Sequence, residues 1–112
     1  MKKASKTLHL SLKKLPFDVM VTGEKDREFR EPSQWIKSRL FNKNGTRKDY
    51  HFVKFTHGYG ADKPYFIAEF KELRKTLIYC CFSYSNGLVV DVDGGSFVIV
   101  IGKIVESGNI RK

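Results

Sequence analysis

The chain has 112 residues, 41% of them hydrophobic and 13% aromatic, enough for one modest core and too apolar for a disordered segment. Lys and Arg number 21 against 12 for Asp and Glu, and the formal net charge of +9 favours polyanionic partners, nucleic acid before a membrane surface. No run approaches the ~20 apolar residues of a membrane span, and the basic start "MKKASKTLHLSLKK" has no apolar stretch behind it to make a signal peptide, so a cytoplasmic protein is expected.

Residues 1–6 read as a loose basic tail and residues 7–112 as a single domain. "TLHLSLKK" alternates, with Leu8, Leu10 and Leu12 on one face and His9 and Ser11 on the other, the pattern of a half-buried strand. In "LPFDVMVTG", Pro16 suits a first helical turn, Phe17, Met20 and Val21 share a face, and Gly23 stands where a helix stops. "EFRE" predicts a short strand. "PSQWIKSRL" predicts a second helix opened by Pro32, with Trp35, Ile36 and Leu40 on its apolar side and Lys37 and Arg39 toward water.

"NKNGTRKD" is a polar turn around Asn44-Gly45. "YHFVKF" and "YFIAEFKEL" predict aromatic, β-branched strands separated by the glycine-containing loop "THGYGADKP". Cys80 and Cys81 are adjacent, which strains a disulfide between them and fits no C-x-x-C pair, so both are expected as free thiols. "LVVDV" and "SFVIVIGKIV" predict a hairpin across "DGG". Phe97 to Ile101 is apolar at every position and must be covered on both faces, while Gly102 marks a bend or a close backbone approach. The expected class is α+β: a mixed, strongly curved sheet closing into a barrel, with two short helices over its ends.

The densest chemistry lies in "GEKDREFR", residues 23–30. On one strand Glu28 and Arg30 share a face, because side chains repeat every second residue. Lys25 is an odd number of positions from both and joins them only from a turn, which Gly23 provides. The spacing G-x-K-x-x-E-x-R can therefore gather a lysine, a carboxylate and an arginine around one pocket.

Gly23, Lys25, Glu28 and Arg30 match in place the G-x-K-x-x-[ET]-x-R signature of the ASCH domain family, a branch of the PUA-like β-barrels, which the chain resembles. "LHLSLKKLPFDVMVTGEK" and "EPSQWIKSRL" look like the opening strand and helices of its small phage and bacterial members, and "FTHGYGADKP" and "FVIVIGKIV" are also similar. The resemblance implies a PUA-like barrel with a basic cleft beside the motif that binds RNA or a nucleoside or nucleotide. Some members are amidohydrolases that deacetylate the exocyclic amine of cytidine, and others are reported as ribonucleases. The amidohydrolases carry Thr at the position of Glu28, so the hydroxyl they use is missing here.

Within that pocket Lys25 and Arg30 are candidates for anion contact, Lys as a point charge and Arg as a planar fork, or for an internal ion pair with Glu28. Glu28 is a candidate for reading a base edge, for general-base work, or for orienting the two cations. Glu69 interrupts the face Tyr65–Ile67–Glu69. It either pairs with Lys25 or Arg30 in a catalytic cluster or stands at a strand end in water. In the glycine loop Tyr59 can stack on a base and Lys63 touch phosphate, with His57 as a second candidate base for ribonuclease chemistry. Trp35 reads as helix packing.

His9, His51 and His57 have no metal-ligand spacing, and "DVDGG" lacks the third ligand and closing Glu of a calcium loop, so neither a metal nor a cofactor is expected. The expected protein is a monomer or weak dimer that binds RNA or a nucleotide. The alternatives are a hydrolase using the same pocket and a phage-type domain that contacts another protein through its aromatic strands.

Overall fold

The computed structural model describes residues 6–110. Of the basic tail expected over residues 1–6, residues 1–5 lie outside that range, and Lys6 is tied down: its carbonyl accepts from the amides of His51 and Phe52 at 2.9 and 3.3 Å. The elements run β1 (Thr7–Leu12), α1 (Lys14–Val21), β2 (Arg27–Arg30), α2 (Gln34–Leu40), β3 (Phe52–His57), β4 (Tyr65–Lys75), β5 (Cys80–Ser83), β6 (Val89–Val92) and β7 (Phe97–Gly108). Five strands form a curled half-barrel sheet in the order β1-β3-β4-β7-β2, and β5 and β6 form a separate two-stranded sheet. Only β1 and β3 run parallel; the other pairs are antiparallel. The fold is α+β, as its sequence predicts.

Alternation places the core. Leu8, Leu10 and Leu12 of β1, Val53 and Phe55 of β3 and Phe66 and Ala68 of β4 face inward and are buried, and Phe17 and Met20 of α1 and Ile36 and Leu40 of α2 close over them. Burying an aliphatic or aromatic side chain contributes roughly 1.5–3 kcal/mol, so this cluster carries most of the stability. In β7 both faces of Phe97–Ile99 are buried, as an uninterrupted apolar run requires. The register between β4 and β7 slips between Ile67 and Glu72, opposite Gly102, where a Cβ would stand 2.8 Å from Glu69 Oε1. The bend expected at Gly102 is thus a bulge that lets two strands approach.

Three expectations need correction. The hairpin across "DGG" does not form: β6 pairs with β5, and β7 runs between β4 and β2. The true hairpin turn is at Asn86-Gly87, where Gly87 takes φ +87° and its amide donates to the Tyr84 carbonyl. Asn-Gly is a stronger hairpin signal than Asp-Gly-Gly across three residues, and "CCFS", at four residues with one aromatic, is too short to show a strand period. Second, Pro32 does not open α2; Ser33 does, its Oγ accepting from the Ile36 amide at 3.2 Å.

Third, Trp35 is not on the apolar side of α2. Ile36 and Leu40, four apart, fix the buried stripe, and Trp35 lies one position off it, 48% exposed. Among the described residues no helix is long and apolar enough to cross a membrane, and Cys80 and Cys81 are both free.

Candidate functional site

Gly23 adopts φ +91° directly after α1, a conformation that costs a glycine little. The α1 end is fastened by Gly23 N–H to the Met20 carbonyl and by Thr22 Oγ1 donating to the Val19 carbonyl. This turn throws Lys25 back toward the sheet, where its amide donates to the Val19 carbonyl. Glu28 and Arg30 then follow on one face of β2, as the spacing requires.

The three charges meet. Lys25 Nζ donates to Glu28 Oε1 at 3.3 Å and to the Arg27 carbonyl, and Arg30 Nε donates to Glu28 Oε2 at 2.8 Å. One carboxylate therefore holds two cations, each on its own oxygen. Lys25 is 2% exposed, with Met20 Sδ 3.7 Å from its ammonium and the Phe29 ring centroid 5.3 Å away. Burial pushes its pKa below the ordinary lysine value, and the neighbouring Glu28 charge opposes that shift. Among the described residues every buried side-chain nitrogen and oxygen has a partner.

A second element lies beside the motif. Phe82 of β5 stacks on Phe29 at 5.2 Å, with the ring planes 14° apart. The turn after β5 is pinned beside the motif: Ser85 donates its amide to Glu24 Oε2 at 2.8 Å and its hydroxyl to Glu24 Oε1, and Asn86 Nδ2 donates to the Leu15 carbonyl. The β5–β6 hairpin thus lies over the turn and strand that carry the motif.

Arg30 alone of the three reaches toward solvent. Its side chain is 24% exposed, and its Nη2 donates to the Ser11 carbonyl at 2.8 Å. Ser11 belongs to β1 and Arg30 to β2, the two outermost strands of the sheet. The guanidinium therefore bridges the seam where a half-barrel would close. Ser11 Oγ in turn donates to the Tyr59 hydroxyl at 3.2 Å.

Around Ser11 a cleft of about 210 Å³ is lined by His9, Trp35, Thr56, Gly58, Tyr59 and Gly60. Tyr59 is 85% exposed, and the Arg39 guanidinium sits 5.0 Å from the Trp35 ring. Two exposed aromatic rings and an imidazole thus face one depression beside Arg30. Tyr59 was legible in the sequence as a possible stacking group; Trp35, His9 and Ser11 were missed. The four-residue spacing of Ile36 and Leu40 would have freed Trp35 from the core, and the polar face of β1 already held His9 and Ser11.

The remaining expected site residues separate. Glu69 does not join Lys25 or Arg30: it is exposed and its Oε1 accepts from the Lys103 amide at 2.9 Å, where it serves the bulge. Lys63 packs its stem beneath Gly58 and Gly60 and lines a different cleft with His57, Lys14, Phe17 and Asp18. Lys25, expected as an anion contact, is enclosed and cannot touch a phosphate while Glu28 holds it. No family model, curated protein or solved structure matches the chain.

Proposed function

We propose that this chain is an RNA- or nucleotide-binding domain of the PUA-like, ASCH type, and that its ligand lies in the seam cleft. Bases stack on Tyr59 and Trp35, and a phosphate meets the outward edge of Arg30. The observation that carries this reading is the pairing of two exposed aromatic rings in one cleft beside a pre-oriented guanidinium, on a chain with a net charge of +9. Base–aromatic stacking contributes about 1–3 kcal/mol per base and tolerates any sequence. Of the five guanidinium donors, Glu28 and Ser11 take two, so Arg30 stays fixed by its partners and keeps donors for an anion.

The same geometry favours binding over hydrolysis. General-base chemistry needs a carboxylate oxygen free to take a proton, and both oxygens of Glu28 are held by cations.

Trp35 is the single tryptophan of the chain, so its fluorescence reports this cleft directly. Titration with oligouridylate is expected to quench it saturably, with affinity falling as salt rises, and Tyr59→Ala is expected to weaken binding about 5- to 150-fold. Absence of quenching and of binding at low salt overturns the reading. Binding that ignores salt and survives Tyr59→Ala would point to a protein partner, and a cleaved or deacylated product seen by mass spectrometry would make the site catalytic.

A further inference from the structure

On the other flank of α2, away from Trp35, lies a second cleft of about 450 Å³. Its lining includes Lys37, Ser38, Phe41, Asn42, Lys43 and Lys48. Three lysines converge on it and, among the described residues, no carboxylate does. None of the ion pairs among the described residues involves any of the three. Asp49, Arg47 and Glu72 belong to the neighbouring depression, which Lys48 borders from the other side.

The scaffold under these lysines is built rather than loose. Asn42 and Thr46 close the turn backbone to backbone at 2.7 Å, Asn44 Oδ1 accepts from both the amide and the hydroxyl of Thr46, and Phe41 bridges to Arg47 as an isolated ladder rung. The Lys48 amide donates to the Leu40 carbonyl at 2.9 Å, which seats that lysine against the end of α2. Holding three like charges together raises their mutual repulsion, and a polyanion relieves it.

We infer that this lysine cleft binds the phosphodiester backbone of a single-stranded nucleic acid that continues from the seam cleft across α2. The inference rests on the proposed function for its second half and deepens it: the ligand is an extended single strand, and a free nucleotide fills only the seam. Helix α2 carries both surfaces, Trp35 toward the seam and Lys37 toward the lysines. A duplex would present paired bases that cannot reach exposed rings, whereas a single strand offers stacking faces and phosphates together.

The test compares wild type, the Lys37→Ala/Lys43→Ala/Lys48→Ala variant, its triple Lys→Arg counterpart, and Tyr59→Ala. The probes are uridine monophosphate, oligouridylate and oligothymidylate over a salt series. The triple Ala variant is expected to bind oligouridylate with a log K against log salt slope shallower by about 2, from ~0.7 per lost phosphate contact. It is expected to bind the mononucleotide as wild type does, and the Arg counterpart should restore the slope. Oligothymidylate distinguishes a general single-strand site from one that needs the ribose hydroxyl. If the triple Ala variant keeps the wild-type slope while Tyr59→Ala loses affinity, the lysine cleft is overturned and the seam reading stands. If the lysines matter and Tyr59→Ala does not, the seam reading fails and the lysine cleft stands. If no oligonucleotide binds wild type, both are overturned.

Discussion

Glu28→Ala removes the carboxylate that pairs directly with both Lys25 and Arg30. Arg30 is partly exposed and can be rehydrated where it stands, so its loss is small. Lys25 is enclosed and would remain as a buried ammonium without its paired carboxylate, a situation that costs about 3–5 kcal/mol. Against a domain stability of roughly 5–15 kcal/mol, the expected loss is about 3 kcal/mol and a midpoint fall of roughly 12 °C or more. Urea and thermal unfolding at neutral pH measure it.

The pH dependence carries the sharper signature. The folded-state pKa of Lys25 lies below its ordinary value of 10.5, so protonated Lys25 opposes folding, and its contribution improves as pH rises from the folded value toward 10.5. Without Glu28 that pKa falls further, because the charge that opposed the shift is gone. The deficit of Glu28→Ala relative to wild type should therefore narrow as pH rises from 7 toward 10. Lys25→Met combined with Glu28→Leu should recover most of the loss, since a buried pair replaced by apolar groups is often neutral. A deficit below about 1 kcal/mol that does not change with pH refutes the account of Lys25 as a desolvated, Glu28-dependent charge.

Two further outcomes follow from neighbouring residues. Gly23→Ala meets no atom within 4 Å, so its cost is the left-handed backbone alone, about 1–2 kcal/mol, read as a lower urea midpoint with an unchanged slope. Glu69→Gln keeps an acceptor for the Lys103 amide, so both the unfolding midpoint and the oligouridylate affinity should match wild type. A loss of binding there would return Glu69 to the ligand site.

Much of this fold could be read from the chain because its periodicities are clean. Leu8, Leu10 and Leu12 mark β1, and Phe97 to Ile101 announces a strand covered on both faces. The meeting of Lys25, Glu28 and Arg30 was also legible, since two follow from strand alternation and the third from a glycine turn. What could not be read was accessibility. Lys25 is enclosed among Met20, Glu28 and Phe29, and Phe29 and Glu24 are in turn met by Phe82 and Ser85, more than 50 positions further along the chain. No local pattern encodes that enclosure, so an anion contact and an internal ion pair looked alike. The choice between the two readings of Glu69 was hidden for a similar reason: its neighbour Lys103 is reached only through a register slip at Gly102.

The place of β2 in the sheet also fixes when the charged cluster can exist. Among the described residues it pairs with β7 alone, and Glu28 faces Ile99, 71 positions further along the chain. The β3–β4 and β5–β6 pairs close over short loops and can form early, whereas β2 must wait for the last strand. Until then Lys25, Glu28 and Arg30 stay hydrated, and they are stripped of water together once β7 docks. Substitutions in the cluster should accordingly act on the rate at which the native chain opens, leaving the early steps of collapse untouched.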